Sequence, residues 1–142
     1  MTSDTSVIID TSAIIAILRA EPDADRYVDA VARATGLRLS AGTYLETAIV
    51  VDANHDPVLS GRFDDLVTAT GAKVEPVTPE HAEIARRAYR DFGRGSGHPA
   101  GLNFGDCFAY ALARATGSPL LYKGDDFSRT DVISALGNTG LY

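Results

Sequence analysis

The run Val7-Ile8-Ile9-Asp10 constrains this chain more than any other stretch. Three apolar residues in a row, two of them isoleucine, describe a short strand buried on both faces. Such a strand belongs in the middle of a sheet covered by helices on either side, so the chain must supply two helical layers. The acid that ends the run is then left at the rim of the sheet, beside a core. An ionised carboxylate there is costly unless hydrogen bonds or a cation compensate it.

The rest of the chain supplies the alternation that this strand demands. Thr11 or Ser12 is placed to cap a helix from Ala13 to Arg19. Pro22 suits the first turn of a second helix, with Tyr27, Val28 and Val31 as its apolar stripe and Gly36 as its stop. Leu37 to Ser40 reads as a strand. Between Thr43 and Ala53, Leu45, Ala48, Ile49 and Val50 follow helical spacing. Pro57 opens a helix with Leu59, Phe63, Leu66 and Val67 on one face and Gly71 at its end. Ala72 to Val77 is a third strand, and Pro79 starts a helix to Phe92 that turns Ala82, Ala85, Ala88 and Tyr89 inward. A glycine-rich loop, Gly93 to Gly101, precedes the most apolar helix, Leu102 to Thr116, which Gly117 closes. Pro119 to Tyr122 is a fourth strand, and the tail Val132 to Tyr142 shows little regular pattern. This order predicts an α/β fold of three layers, α/β/α, around a central, mostly parallel sheet, as one domain over residues 1–142.

Net charge matters to what such a domain can bind. The chain carries 19 acidic residues against 13 Lys and Arg, a formal charge of −6, which argues against diffuse attraction to nucleic acid over the whole surface. A local basic strip or a bridging cation stays compatible with it. Cys107 is the lone cysteine, so no intrachain disulfide forms, and its apolar surroundings predict a buried, inert thiol. The opening Met1-Thr2-Ser3-Asp4-Thr5 lacks the pattern of a secretory signal, and no apolar run nears the ~20 residues of a membrane span. The expectation is a cytoplasmic protein with no membrane partner.

The acids carry the chemistry. Asp10, Glu46, Asp106 and the pair Asp125-Asp126 each lie at the edge of a segment that otherwise reads as core. In a parallel α/β sheet, ligands bind at the carboxyl ends of the strands, where Asp10 and the Asp125-Asp126 pair fall. Glu46 and Asp106 lie near the starts of helices able to face the same rim. Clustered hard oxygen ligands suit Mg²⁺ or Mn²⁺. Zinc is excluded, since Cys107 is alone and His55, His81 and His98 lack ligand spacing. Such a site suits hydrolysis of a phosphodiester. Each acid has a plainer reading as well: Asp10 as a helix cap, Glu46 as a solvated helix residue, and Asp125 and Asp126 as turn formers after Gly124.

The text around these acids resembles a known family. Val7-Ile8-Ile9-Asp10-Thr11-Ser12-Ala13, Tyr44-Leu45-Glu46-Thr47, Asn103-Phe104-Gly105-Asp106-Cys107-Phe108-Ala109 and Lys123-Gly124-Asp125-Asp126-Phe127 with Thr130-Asp131 resemble PIN domains. More narrowly, they resemble the VapC toxins of bacterial toxin–antitoxin pairs. The resemblance implies a Mg²⁺- or Mn²⁺-dependent endoribonuclease, with Asp10, Glu46 and Asp106 as metal-coordinating acids. The fourth acid falls at Asp125 or Asp126, with strand-end alignment favouring Asp126. Thr11 or Ser12 would help fix the site, and Asn103 and Thr130 would support it from behind. The resemblance also implies a homodimer and a cognate VapB-type antitoxin that places a basic side chain in the acidic pocket.

RNA approaching this pocket needs cations. Arg86, Arg87, Arg90, Arg94 and His98 are candidates, and Lys123, beside the acid pair, is a better-placed one. Tyr44, Phe104 and Tyr110 lie near the acids but their spacing predicts core packing, so RNA would be recognised by shape. Two other readings compete with the nuclease. A phosphoryl-transfer or receiver-type domain needs an acidic pair at the first strand, and a D-x-D phosphatase is excluded because Ser12 holds the second position. A non-catalytic binding module is the other, and all four acidic positions being filled speaks against it.

Overall fold

The computed structural model describes residues 6–137, so the expectation for Met1 to Thr5 and the end of the tail lie outside the described residues. Strands β1 (Ser6–Ile9), β2 (Gly36–Ser40), β3 (Lys73–Glu75) and β4 (Leu120–Leu121) form one sheet in the order β3-β2-β1-β4. Every pairing is parallel. Among the described residues, six α-helices surround it: α1 (Thr11–Leu18), α2 (Ala24–Arg33), α3 (Ala41–Asp52), α4 (Pro57–Thr70), α5 (Pro79–Phe92) and α6 (Asp106–Thr116). None of the described helices is long and apolar enough to cross a membrane.

The three layers follow from side-chain alternation on the central strand. Val7 and Ile9 pack into one core with α1, Tyr27, Val51 and Phe63, whereas Ile8 packs into a second with Ala88 and the inner face of α6. Leu121 and Leu120 divide between the same two cores. An uninterrupted apolar run is therefore what two covered faces require.

Several elements differ from the sequence reading. The cap of α1 is Asp10, whose carboxylate accepts from the Ser12 amide, and not Thr11 or Ser12. Ser40 caps α3, starting it two residues before Thr43. On α3 the inward residues are Thr43, Thr47 and Val51, while Leu45, Ile49 and Val50 are exposed. Val28 of α2 and Tyr89 of α5 are exposed as well. The third strand is only three residues long, because Pro76 ends its ladder. The last helix begins at Asp106, not Leu102: Leu102 pairs with Gly93 in an isolated bridge, and Asn103 opens the turn that leads into the helix. Gly71 and Gly117 stop α4 and α6 as expected, both in the left-handed conformation. The described part of the tail, residues 132–137, packs against the sheet. The Leu120 amide donates to Ile133 O, the Ala135 amide donates to Leu120 O, and Ala135 and Leu136 pack on the first core.

Candidate metal centre

Three parallel strands deliver their carboxyl ends side by side, and four acids arrive with them. Asp10 follows β1 and is 2% exposed. Its Oδ2 accepts from the Ser12 amide at 3.0 Å and the Ser12 hydroxyl at 2.7 Å. Its Oδ1 is buried with no hydrogen-bond partner among the described residues. Burial, with Glu46 adding to it, pushes the Asp10 carboxyl up to about 6.

Asp106 begins α6 and is also buried. It is locked to Asn103 in both directions: the Asp106 amide donates to Asn103 Oδ1 at 2.8 Å, and the Asn103 amide donates to Asp106 Oδ2 at 3.0 Å. This reciprocal pair repeats the capping-box pattern in the turn just ahead of the helix, whose N-cap position is Gly105. Burial raises the Asp106 carboxyl to about 7, and the charges of Asp10, Asp126 and Glu46 add to the rise.

Glu46 lies on the first half of α3. Thr11 donates to its Oε1 at 2.7 Å and lies 2.9 Å from the Thr47 hydroxyl, which donates to Thr43 O. The Glu46 carboxylate rests against Gly105, where a β-carbon would overlap it. Gly105 has ordinary right-handed helical angles, so only this close approach demands glycine there. Sequence reading passed over Gly105, although its place directly before Asp106 was the available signal.

The Asp125-Asp126 pair separates in space. Asp126 is the residue whose charge acts on Asp106, whereas Asp125 lines a groove with Arg26, Tyr27 and Tyr122. The Thr130 hydroxyl donates to Phe127 O and closes the 3₁₀ turn Phe127–Arg129 that follows Asp126. Lys123 reaches the site only through its backbone, whose amide donates to Ser12 Oγ at 2.9 Å. Its ammonium group bonds Glu21 at 2.5 Å and Asp23 at 2.9 Å, so it offsets those acids and not the cluster. These partners push the Lys123 ammonium up and hold Asp23 below the usual carboxylate range.

The remaining candidates sort equally clearly. Arg86, Arg87, Arg90 and Arg94 are exposed, with Arg90 bonded to its neighbour Asp91. His98 accepts from the Ala100 amide through Nδ1 and stacks edge-on against Phe92, organising its own loop. Cys107 is buried, and burial pushes its thiol up to about 11. Tyr44 packs against Phe63, and Tyr110 is buried with its hydroxyl donating to Asp131 at 2.6 Å. Phe104 departs from expectation: it is 76% exposed.

The donor set fits a hard divalent cation. A buried carboxylate oxygen without a partner, two carboxyls lifted by burial and by neighbouring acids, and a glycine cradle for a third are what such an ion relieves. As the side chains stand, no three acidic, histidine or cysteine groups among the described residues close on one point. Asp10 and Glu46 are each held by hydroxyls from the α1 turn, and like charges keep apart.

A parallel sheet whose strand ends gather carboxylates defines a class of α/β domains suited to holding a divalent cation. Residues 7–133 match the PIN domain family, and the chain belongs to it. It is 59% identical over 130 residues to Ribonuclease VapC28 of Mycobacterium tuberculosis, covering 92% of this chain and 98% of that protein. Among solved structures, it resembles VapBC2 of Rickettsia felis, bound to a DNA fragment from its promoter, with a TM-score of 0.71 at 11% identity over 91% of this chain and 96% of that one. It also resembles VapC20 of Mycobacterium tuberculosis, a Sarcin-Ricin loop cleaving toxin, with a TM-score of 0.69 at 19% identity over 89% and 96% of the two chains. At such identities the likeness shows a shared fold.

Proposed function

We propose that this chain is a divalent-metal-dependent endoribonuclease and the toxin of a toxin–antitoxin pair. The observation that carries the metal-site reading is the unpartnered, buried Oδ1 of Asp10, set among acids whose charges raise the Asp106 carboxyl. The 59% identity to a protein named a ribonuclease supports the reaction class. Asp10, Glu46, Asp106 and Asp126 would hold Mg²⁺, with Mn²⁺ as the alternative. When bound, the ion supplies a water of lowered pKa and stabilises charge on the leaving oxygen. Ser12 and Thr11 fix two of the carboxylates, Asn103 fixes the third, and Gly105 leaves room for Glu46 beside it. A VapB-type antitoxin with a basic side chain for this pocket, and a homodimer, complete the reading; the uncompensated carboxylates favour such a partner.

The test uses purified, antitoxin-free protein and total cellular RNA, with Mg²⁺, with Mn²⁺ and with chelator. Discrete fragments are expected only with metal. Asp106→Asn and Asp126→Asn abolish them, and Asp125→Asn retains most of the activity. RNA left intact by a folded, metal-binding protein would overturn the nuclease and favour a binding role.

A further inference from the structure

Phe104 is the most exposed large apolar side chain among the described residues, at 76%. It sits two positions before Asp106, on the turn that Asn103 and Asp106 lock together. The Cys107 amide donates to its carbonyl at 3.3 Å, so its backbone belongs to that turn. Its ring meets Phe108 edge-on, with centroids 5.1 Å apart and planes at 85°. Phe108 is itself fixed, because it packs over Gly42 of α3 where no β-carbon fits. The ring is therefore mounted on the same turn as a candidate metal ligand and braced from behind, with most of its surface in water. The core gains little from it.

We propose that Phe104 is a stacking platform for an unpaired nucleobase next to the scissile phosphate, a proposal that rests on the ribonuclease reading. A phosphate held at Asp106 brings the flanking bases within one sugar of the turn that carries Phe104. Aromatic faces are the common means of holding splayed RNA bases, and they do so without reading sequence. The expectation of recognition by RNA shape is thereby narrowed: shape presents the loop, and Phe104 holds one base of it. Leu45 and Ile49 lie on the α3 stripe that contains Gly42 and Glu46, so the competing occupant is a protein surface spanning the same rim.

The test begins with the cut site that wild-type protein makes in total RNA, rebuilt in a short hairpin oligonucleotide. Phe104→Ala should raise KM on the order of 10-fold with kcat little changed, and Phe104→Trp should restore it. Removing the base on one side of the cut, as an abasic nucleotide, should cost wild type a similar factor and Phe104→Ala nothing further. Equal KM for wild type and Phe104→Ala, or penalties that multiply, overturns the stacking role. So does an unchanged KM accompanied by loss of the dimer in sedimentation, which assigns the ring to a protein interface. If wild type cuts no RNA while it binds Mn²⁺, the ribonuclease reading fails and this proposal falls with it.

Discussion

Gly105 does work that no side chain could do. Its backbone angles suit alanine, and alanine is the better helix former, so Gly105→Ala carries no conformational penalty of its own. What it introduces is a methyl group in the place of the Glu46 carboxylate. The variant is expected to fold normally, with a melting temperature near wild type, and to bind Mn²⁺ roughly 10- to 100-fold more weakly, as loss of ligand support commonly does. Isothermal titration checks this, and wild-type affinity in the variant would show that Glu46 is not held there for a metal. At this scale the sequence put Asp10 and Asp106 at the edge of a core, and the structure buries both. The sequence was a poor guide to Lys123 and Phe104. One found partners in Glu21 and Asp23, a hundred residues away in the chain, and the other faces water although it lies in an apolar stretch.

Among the elements, the tie between the β1–α1 turn and the end of β4 is made by one hydroxyl. Ser12 donates to Asp10 and accepts from the Lys123 amide. Ser12→Ala removes both bonds and leaves a half-buried amide unsatisfied, so it should cost about 1–3 kcal/mol. Lys123→Ala keeps that amide and loses only partly exposed ion pairs, so it should cost less than Ser12→Ala. Urea denaturation of the two variants decides the ranking, and the reverse order would mean that the ion pairs hold the turn. Helix existence and order were legible because Pro57, Pro79, Gly71 and Gly117 mark starts and stops by backbone chemistry. The inward face of α3 was not. Thr43 and Thr47 face inward, with Thr47 satisfying its hydroxyl against its own helix and Thr11, and Leu45 and Ile49 face out beside the site. Hydropathy alone assigns that helix the wrong face. The short non-helical approach Leu102 to Gly105 was hidden for a related reason, since its residues are apolar enough to pass as helix.

For the molecule as a whole, gathering acids at one rim opposes folding when they ionise. Burial pushes the folded Asp10 and Asp106 carboxyls up to about 6 and about 7, against 3.8 for an ordinary aspartate. Below 3.8 both states hold the protons and there is no effect. As pH rises through the interval, the unfolded chain sheds protons that the folded chain keeps, so stability falls and the loss is complete above 7. For Asp10 alone the shift corresponds to roughly 3 kcal/mol. Chelator-treated wild type should therefore lose more stability between pH 5 and pH 8 than an Asp10→Asn, Asp106→Asn double variant, and Mg²⁺ should return it at pH 8. Parallel pH profiles for the two proteins would refute this. The same geometry bears on the order of synthesis. Ser12 and Lys123 are 111 residues apart, and β4 brings Asp126 to the other acids only after pairing with β1. A chain emerging amino end first holds Asp10 and Glu46 long before that pairing is possible. On the proposed function, a half-made copy has no finished blade while it is still threaded through the ribosome that is building it.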